Sequence, residues 1–406
     1  MSEAAAATPT AEPVEESLGT QIWENFKGGN LGSGPVIFGL AIIVFVFALW
    51  APNFFTPVNL NNIITQMAGT TMLAYGVVFV LLLGEIDLSI AYLSGIVGVA
   101  AAEFQAPGSG HDLPWILPIV AALLIGTGIG AFQGFFIAGI GVPAFVVTLA
   151  GLLAWQGVIQ VVLGAGGPII IQNQWINWPA TYFFSDLGSW LIAALVIVLY
   201  LGSVVFSVLG KRRHGIVIRY PWLVVAQTAA IVAGVIVVVA ICVADRGVPL
   251  AGVEIILFLI LWTFVAKRTT FGRHVYAVGG NTEAARRAGI NVKRIRVMVF
   301  AISGFMAGCG GIILAGNLNS VAPDQGGGTL LLDAISATVI GGTSLFGGRG
   351  EVRSAMLGAA VIATIENGLF IFGFQPGVIY ITTGCILLAA VTLDTVARRR
   401  QAKTGR

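Results

Sequence analysis

Residues 188–213 read GSWLIAALVIVLYLGSVVFSVLGKRR. From Gly188 to Leu209 no side chain carries a charge, and then three consecutive cations follow, Lys211, Arg212 and Arg213. A helix needs about 20 apolar residues to cross the hydrocarbon of a bilayer, and this run is long enough. Its apolar residues are continuous rather than alternating, so it does not read as a barrel strand. The cations close the run as basic residues close a span at the cytoplasmic face.

Working outward, eleven further runs of this kind lie at 35–51, 60–83, 88–105, 115–138, 143–163, 221–243, 249–266, 297–316, 329–346, 354–372 and 376–396. Those at 88–105 and 329–346 are short enough to be re-entrant or broken. Charged residues are only 10% of the chain against 57% hydrophobic, where a soluble domain carries roughly 25% charge. Such a chain cannot build a polar surface, so bilayer is its solvent. The fold class is all-α integral membrane, a polytopic helical bundle of about 12 transmembrane segments. Glycine, at 54 residues, is abundant, with Gly126, Gly130 and Gly134 spaced on one helix face and Gly304 and Gly308 on another. Small residues at this spacing let helices approach closely in lipid.

Sidedness follows from the basic residues. With both termini in the cytosol and twelve crossings, the inside segments hold 20 of the 21 lysines and arginines, and only Arg246 lies outside. Miscounting one span would put a basic cluster on the wrong side. Residues 1–33 read as a disordered cytosolic tail, 34–397 as the membrane domain and 398–406 as a cytosolic basic tail. Cys242, Cys309 and Cys385 show no ligand-like spacing, so neither a disulfide framework nor a metal site is expected. There is no G-x-x-x-x-G-K-[ST] loop to cradle ATP phosphates and no recognisable catalytic set. No cofactor, enzymatic activity or nucleic-acid partner is expected of this chain.

The longest cytosolic loop, 267–296, contains Asn281-Thr282-Glu283-Ala284-Ala285-Arg286-Arg287-Ala288-Gly289. Asn281 or Thr282 can cap the free amides of a short helix. Glu283 suits its positive end and Arg286 and Arg287 its negative end, and Gly289 suits a left-handed stop. Gly279 and Gly280 offer a sharp entry, and Ala284 with Ala285 a small contact surface. A helix of two turns is marginal in water, so something is expected to pack on it. The alternatives are a docking element for a soluble partner or a solvated basic loop. Proline at Glu283 is expected to break it.

Polar residues inside apolar runs are costly and face a cavity or a partner. Asn61, Gln66, Glu85, Asp87, Asp333 and Asn367 are the pathway candidates, with helix capping the competing reading for Asp87 and Asp333. Asp87 with Ser89 opens one short run from inside and Asp333 with Ser336 another from outside, which suits an inverted repeat. In the external loop 164–187, the amides and tryptophans of Gln172–Trp178 suit either a sugar or binding-protein contact, or an interfacial patch.

Five segments carry a resemblance: GEIDLS at 84–89, PAFVVTLAG at 143–151, FGRHVYAVGGNTEAARRAGINV at 271–292, LDAISATVIGGTSLFGG at 332–348 and ENGL at 366–369. In these the chain resembles the ribose/xylose-type permeases of bacterial ATP-binding-cassette importers. The resemblance implies that 281–289 is a coupling helix seated in a groove of a cytosolic ATPase, which holds the ATP and Mg. It also implies a second permease chain, an external sugar-binding protein and a multi-pass place in the bacterial plasma membrane. Residues 188–243 look like a helix pair inserted into a ten-helix core, and with Glu85 they are similar to the xylose branch. The expected cargo is therefore xylose or another pentose, with another sugar or a nucleoside as the alternative. An ion-coupled secondary transporter would explain the spans but not the capped loop.

The topology has a direct test. Single cysteines labelled from outside intact cells should react within 164–187 and stay unreacted at 281–289. Reaction at 281–289 would invert the assignment.

Overall fold

The computed structural model describes residues 34–106, 110, 113–216 and 220–403. The expected tail at 1–33 lies outside them. Helices α1 Gly34–Trp50, α2 Pro57–Leu82, α3 Ile90–Glu103, α4 Leu117–Phe135 and α5 Ala144–Leu163 open the chain, a π-helical turn Phe136–Ile140 closing α4. There follow α6 Gln174–Thr181, α7 Asp186–Arg213, α8 Pro221–Val243, α9 Leu250–Arg268, α10 Thr270–Gly280 and α11 Thr282–Arg287. The chain ends with α12 Val292–Leu318, α13 Leu330–Ile340, α14 Val352–Ile371 and α15 Pro376–Lys403. The basic residues from 398 to 403 thus extend the last helix rather than forming a separate tail. Two short strands, β1 Ile169–Ile170 and β2 Ser320–Val321, pair antiparallel at the end of the bundle away from the basic loops.

Among the described residues, eight helices are long and apolar enough to cross a membrane, and four shorter apolar ones begin at Gly34, Ile90, Leu330 and Pro376. Together they fall on the twelve expected runs. Local chemistry sets their starts. Thr56 accepts from Asn59 N and Pro57 opens α2, while Pro221 opens α8; proline is tolerated there because the first-turn amides have no intrahelical acceptor.

Helices α2 and α12 form the buried centre. The glycine stripe of α4 lies on α12 so closely that a Cβ on Gly130 would sit 2.2 Å from Phe300 O, and one on Gly304 2.2 Å from Gly126 O. No side chain fits in such a seam, which is why glycine recurs along it. The pair α7–α8 stands outside this centre. It is tied on through a small cluster of Ala193, Val239, Cys242 and Val248, with Ile64 and Val253 against it.

The two short runs are half-helices. With 14 and 11 residues, α3 and α13 rise about 21 and 16 Å, half to two-thirds of a bilayer core. Helix α3 starts beside the middle of α12 and runs parallel to it, with Gly98 against Gly311 O. The segment before α13 comes down from the opposite end until Gln325 O lies 2.3 Å from a Cβ built on Gly95, and Ala91 O 2.3 Å from one on Gly326. The α13 helix then runs the other way, its end at Gly341 lying on Ser354 of α14.

Two glycines of α4 give a matched test. Gly130→Ala should lower the melting temperature in detergent, overpacking the α4–α12 seam by about 1–3 kcal/mol. Gly128, whose Cβ would meet nothing within 4 Å, should accept alanine without loss. Equal tolerance at both positions would mean that the seam is not packed as described.

Candidate functional site

The basic loop folds as its capping residues dictate. Thr269 accepts from Gly272 N at 3.2 Å and starts α10, which buries Gly272, Val275 and Val278. Asn281 turns to extended backbone (φ −158°), and its side chain accepts from Ala284 N at 2.9 Å, capping α11. Gly289 (φ +83°) stops it in the left-handed conformation, with Gly289 N donating to Arg286 O and Ile290 N to Ala285 O. Glu283 and Arg286 pair on the exposed face. Asn291 then caps α12 through Arg294 N at 3.0 Å.

Four expectations here are corrected. Ala285 is buried in the chain's own core, so of the two central alanines only Ala284 is exposed, beside Glu283, Arg286 and Arg287. Gly279 and Gly280 do not form a turn; they finish α10, and Asn281 makes the break. Gly279 is small because a Cβ there would lie 1.7 Å from Leu82 O at the end of α2. Glu283 is the second helical residue, where the amide has no intrahelical acceptor, so proline there is tolerated rather than breaking. The requirement that something pack on α11 is met in part by Ala285 and Ile290 within this chain.

Beside α10 lie the end of α2, which leads to α3, and the segment that follows α13. Gly348 N donates to Leu82 O at 2.9 Å, and Tyr276 Oη to Gly350 O at 2.7 Å. Lys267 Nζ donates to Glu351 Oε1 at 2.8 Å, and Arg353 pairs with the same carboxylate. Burial alone would raise the Glu351 carboxyl, but the Lys267 hydrogen bond and the Arg353 charge outweigh it and hold the group below its ordinary range. Burial, and then the Glu351 charge, push the Tyr276 phenol up.

The segment 84–89 leaves α2 through Gly84 (φ +77°) and re-enters the bundle. Glu85 Oε1 meets Arg296 Nε at 2.7 Å. Asp87 is buried and saturated: Oδ1 accepts from Ser89 N at 3.0 Å and Ser89 Oγ at 2.7 Å, and Oδ2 from Ser303 Oγ at 2.9 Å. Gln133 Nε2 donates on to Ser89 Oγ at 2.9 Å. The Asp87 carboxylate therefore caps the free amides of α3, the negative group that a helix start favours. Capping, rather than an open pathway position, is its role in this conformation.

The other candidates separate. Asn61 lies at the far end of α2, donating to Asp245 Oδ2 and Gly247 O at 3.1 Å each. It holds the α8–α9 turn, where Arg246 also meets Asn62 Oδ1 at 2.8 Å and covers the Phe183 ring. Arg246, the one basic residue that the sequence reading leaves outside, thus clamps this turn. Gln66 and Asn367 belong together: Asn367 Nδ2 donates to Gln66 Oε1 at 3.1 Å and Asn59 Nδ2 to Asn367 Oδ1 at 2.9 Å. Next to them Asp333, in the first turn of α13, faces Glu366 of α14. Asp333 Oδ1 and Ser336 Oγ are buried without a hydrogen-bond partner. Gln66, Asp333, Glu366 and Asn367 form a polar belt between α2, α13 and α14.

In the 164–187 loop, Asn173 accepts from Trp175 N and Asn177 donates to Ile171 O, so these groups are taken up locally, while the Trp175 and Trp178 rings lie 4.6 Å apart, tilted by 57°. Sequence reasoning missed Ser303, Gln133 and Arg296. Arg296 was legible as one more basic residue, while Ser303 and Gln133, in otherwise apolar helices, carry the intramembrane-polarity signal that singled out Asn61 and Gln66.

Comparison with known proteins adds the following. Residues 59–391 match the family described as branched-chain amino acid transport system / permease component. The xylose transport system permease protein XylH of Escherichia coli (strain K12) is 36% identical over 384 residues, covering 90% of this chain and 92% of that protein. Its counterpart in Haemophilus influenzae (strain ATCC 51907 / DSM 11121 / KW20 / Rd) is 33% identical, covering 92% and 99%. The ribose import permease protein RbsC of Escherichia coli (strain K12) is 30% identical, covering 88% and 92%. No solved structure matches the chain significantly.

Capping by Asp87 is measurable as stability. Asp87→Ala strands three buried donors and should cost about 1–3 kcal/mol, read as a lower melting temperature. Ser303→Ala removes one bond and should cost about 0.5–1.5 kcal/mol. If Asp87→Ala melts with the parent protein, the carboxylate does not cap α3.

Proposed function

Because the chain belongs to the branched-chain amino acid transport system / permease component family, we propose that it is the pathway-forming subunit of an ATP-driven importer whose cargo is xylose or another pentose. It is a multi-pass membrane protein and a permease of the xylose/ribose branch. The observation that carries the mechanism is the capped helix 281–289. It exposes Glu283, Ala284, Arg286 and Arg287, while α10, which leads into it, rests on the end of α2 and on the segment that follows α13.

In this reading the basic end is cytosolic, both termini lie inside and all twelve apolar segments belong to the membrane. An ATPase chain holding ATP and Mg receives α11, its acidic groups pairing with Arg286 and Arg287. Hydrolysis moves α11, and the half-helices, whose starts meet at mid-depth, open in turn to either side. Cargo reaches the far end from an external binding protein, and two identical permease chains in the lipid enclose the pathway. The polar belt Gln66, Asp333, Glu366 and Asn367 supplies exchangeable hydrogen bonds to sugar hydroxyls. Such a belt needs only transient binding, since tight binding would slow release.

A second reading has one observation behind it. The facing buried carboxyls Asp333 and Glu366 are what an ion-coupled transporter uses. Uptake by the purified chain alone in vesicles with an imposed ion gradient would favour that reading; uptake only with ATP, an ATPase and a binding protein supports the importer. Supplying xylose, ribose and a nucleoside in parallel identifies the cargo.

Docking has its own test. Arg286→Pro removes an amide that, in a regular helix, donates four residues back, at about 3 kcal/mol. Ala284→Trp obstructs the exposed face without touching the buried one. Both variants should insert normally and lose at least tenfold in ATPase co-purification. Full co-purification of both would leave 281–289 as a solvated basic loop.

A further inference from the structure

We propose that the Glu85–Arg296 ion pair is a positioning contact that carries movement of the 281–289 helix to half-helix α3. The inference rests on the permease reading above and goes beyond it by naming the link.

The connection is short and stiff. Helix α11 ends at Arg287, Gly289 and Asn291 complete the turn, and α12 begins at Val292. Arg296 stands in the second turn of α12, so a displacement of α11 reaches it through one capped turn rather than a loose loop. From there α12 grips the re-entrant segment twice. Arg296 Nε meets Glu85 Oε1 at 2.7 Å, and Ser303 Oγ meets Asp87 Oδ2 at 2.9 Å. Residues 296 and 303 are two helical turns apart and share a face, about 10 Å from one another along the axis. Residues 85 and 87 lie two apart in a non-helical stretch, on one side of the chain if it is extended. One ion pair and one hydrogen bond tie the segment to the helix at successive positions. Asp87 in turn holds Ser89 N at the start of α3. A shift of α12 must therefore drag the start of α3 or break a bond.

Environment separates this pair from the others. Glu283–Arg286, Arg353–Glu351 and Lys267–Glu351 are more exposed on both sides and Arg246–Asp245 on its arginine side, at 48%, whereas the side chains of Arg296 and Glu85 are 30% and 11% exposed. A partly desolvated pair is screened less by salt than a surface one. The segment that follows α13, by contrast, rests on backbone: Gly348 lies against Gly280 of α10, and its N donates to Leu82 O at the end of α2. The two half-helices are thus reached in different ways, the start of α3 through charged and hydrogen-bonding side chains of α12 and the end of α13 through backbone contact with α10.

An ion pair that only neutralised a buried glutamate would affect stability and nothing else. The distinguishing readout is sugar moved per ATP hydrolysed, measured with the chain reconstituted with its ATPase and binding protein and xylose as the probe. Glu85→Gln and Arg296→Gln should still co-purify with the ATPase, while sugar moved per ATP falls at least fivefold. Arg296→Lys, which keeps the charge, should retain at least half of the parent ratio. The exchanged double variant, Glu85→Arg with Arg296→Glu, should recover to within about twofold. The proposal is overturned if the single glutamine variants keep the parent ratio, or if Arg296→Lys falls as far as Arg296→Gln. A parent chain that binds no ATPase would overturn the permease reading, and this link with it.

Discussion

A backbone that stops inside a bilayer must find its hydrogen bonds in protein, because hydrocarbon offers none. Two helices of this chain stop there. Everything that surrounds them serves that requirement: Asp87 on the amides of α3, Ser303 and Gln133 behind it, and the glycines that let neighbouring backbone close over the gap. The start of α3 and the descending segment 322–329 meet side by side at Ala91–Gly95. The positive ends of two half-helices thus face the same mid-depth region from opposite directions, the arrangement by which transporters place a site between broken helices.

The same requirement explains where glycine is concentrated. At Gly95, Gly130, Gly304 and Gly279 an added Cβ would lie within 2.3 Å of a backbone oxygen of another segment. These are close approaches rather than turns. They let α4, α12 and the re-entrant segments pack backbone to backbone, where lipid cannot penetrate and unsatisfied carbonyls are covered. The α7–α8 pair has no such seam. Most of its surface is exposed apolar side chain suited to lipid, which fits its reading as an addition to a self-sufficient core.

Polarity within the bundle divides into two kinds. Asp87 and Asn61 Nδ2 have fixed partners that hold elements in place. In the group Gln66, Asn367, Asp333 and Glu366 one buried atom, Asp333 Oδ1, has no hydrogen-bond partner, and a buried group without a partner favours any ligand that supplies one.

What the sequence by itself determined is what repeats locally or sums over a segment. The twelve apolar runs and the Asn281 and Gly289 signals each depend on a few neighbouring residues, and each reappears as an element with nearly the expected limits. Only the tertiary structure decided which face of α11 is buried, and so that Ala285 turns inward while Ala284 does not. It alone decided that Gly279 is small because of Leu82, that Arg246 is a clamp, and that Asp87 is a cap. Its partner Ser303 lies 216 residues away. Periodicity and capping act within one turn of chain, whereas a hydrogen bond across the bundle depends on where two distant segments come to rest.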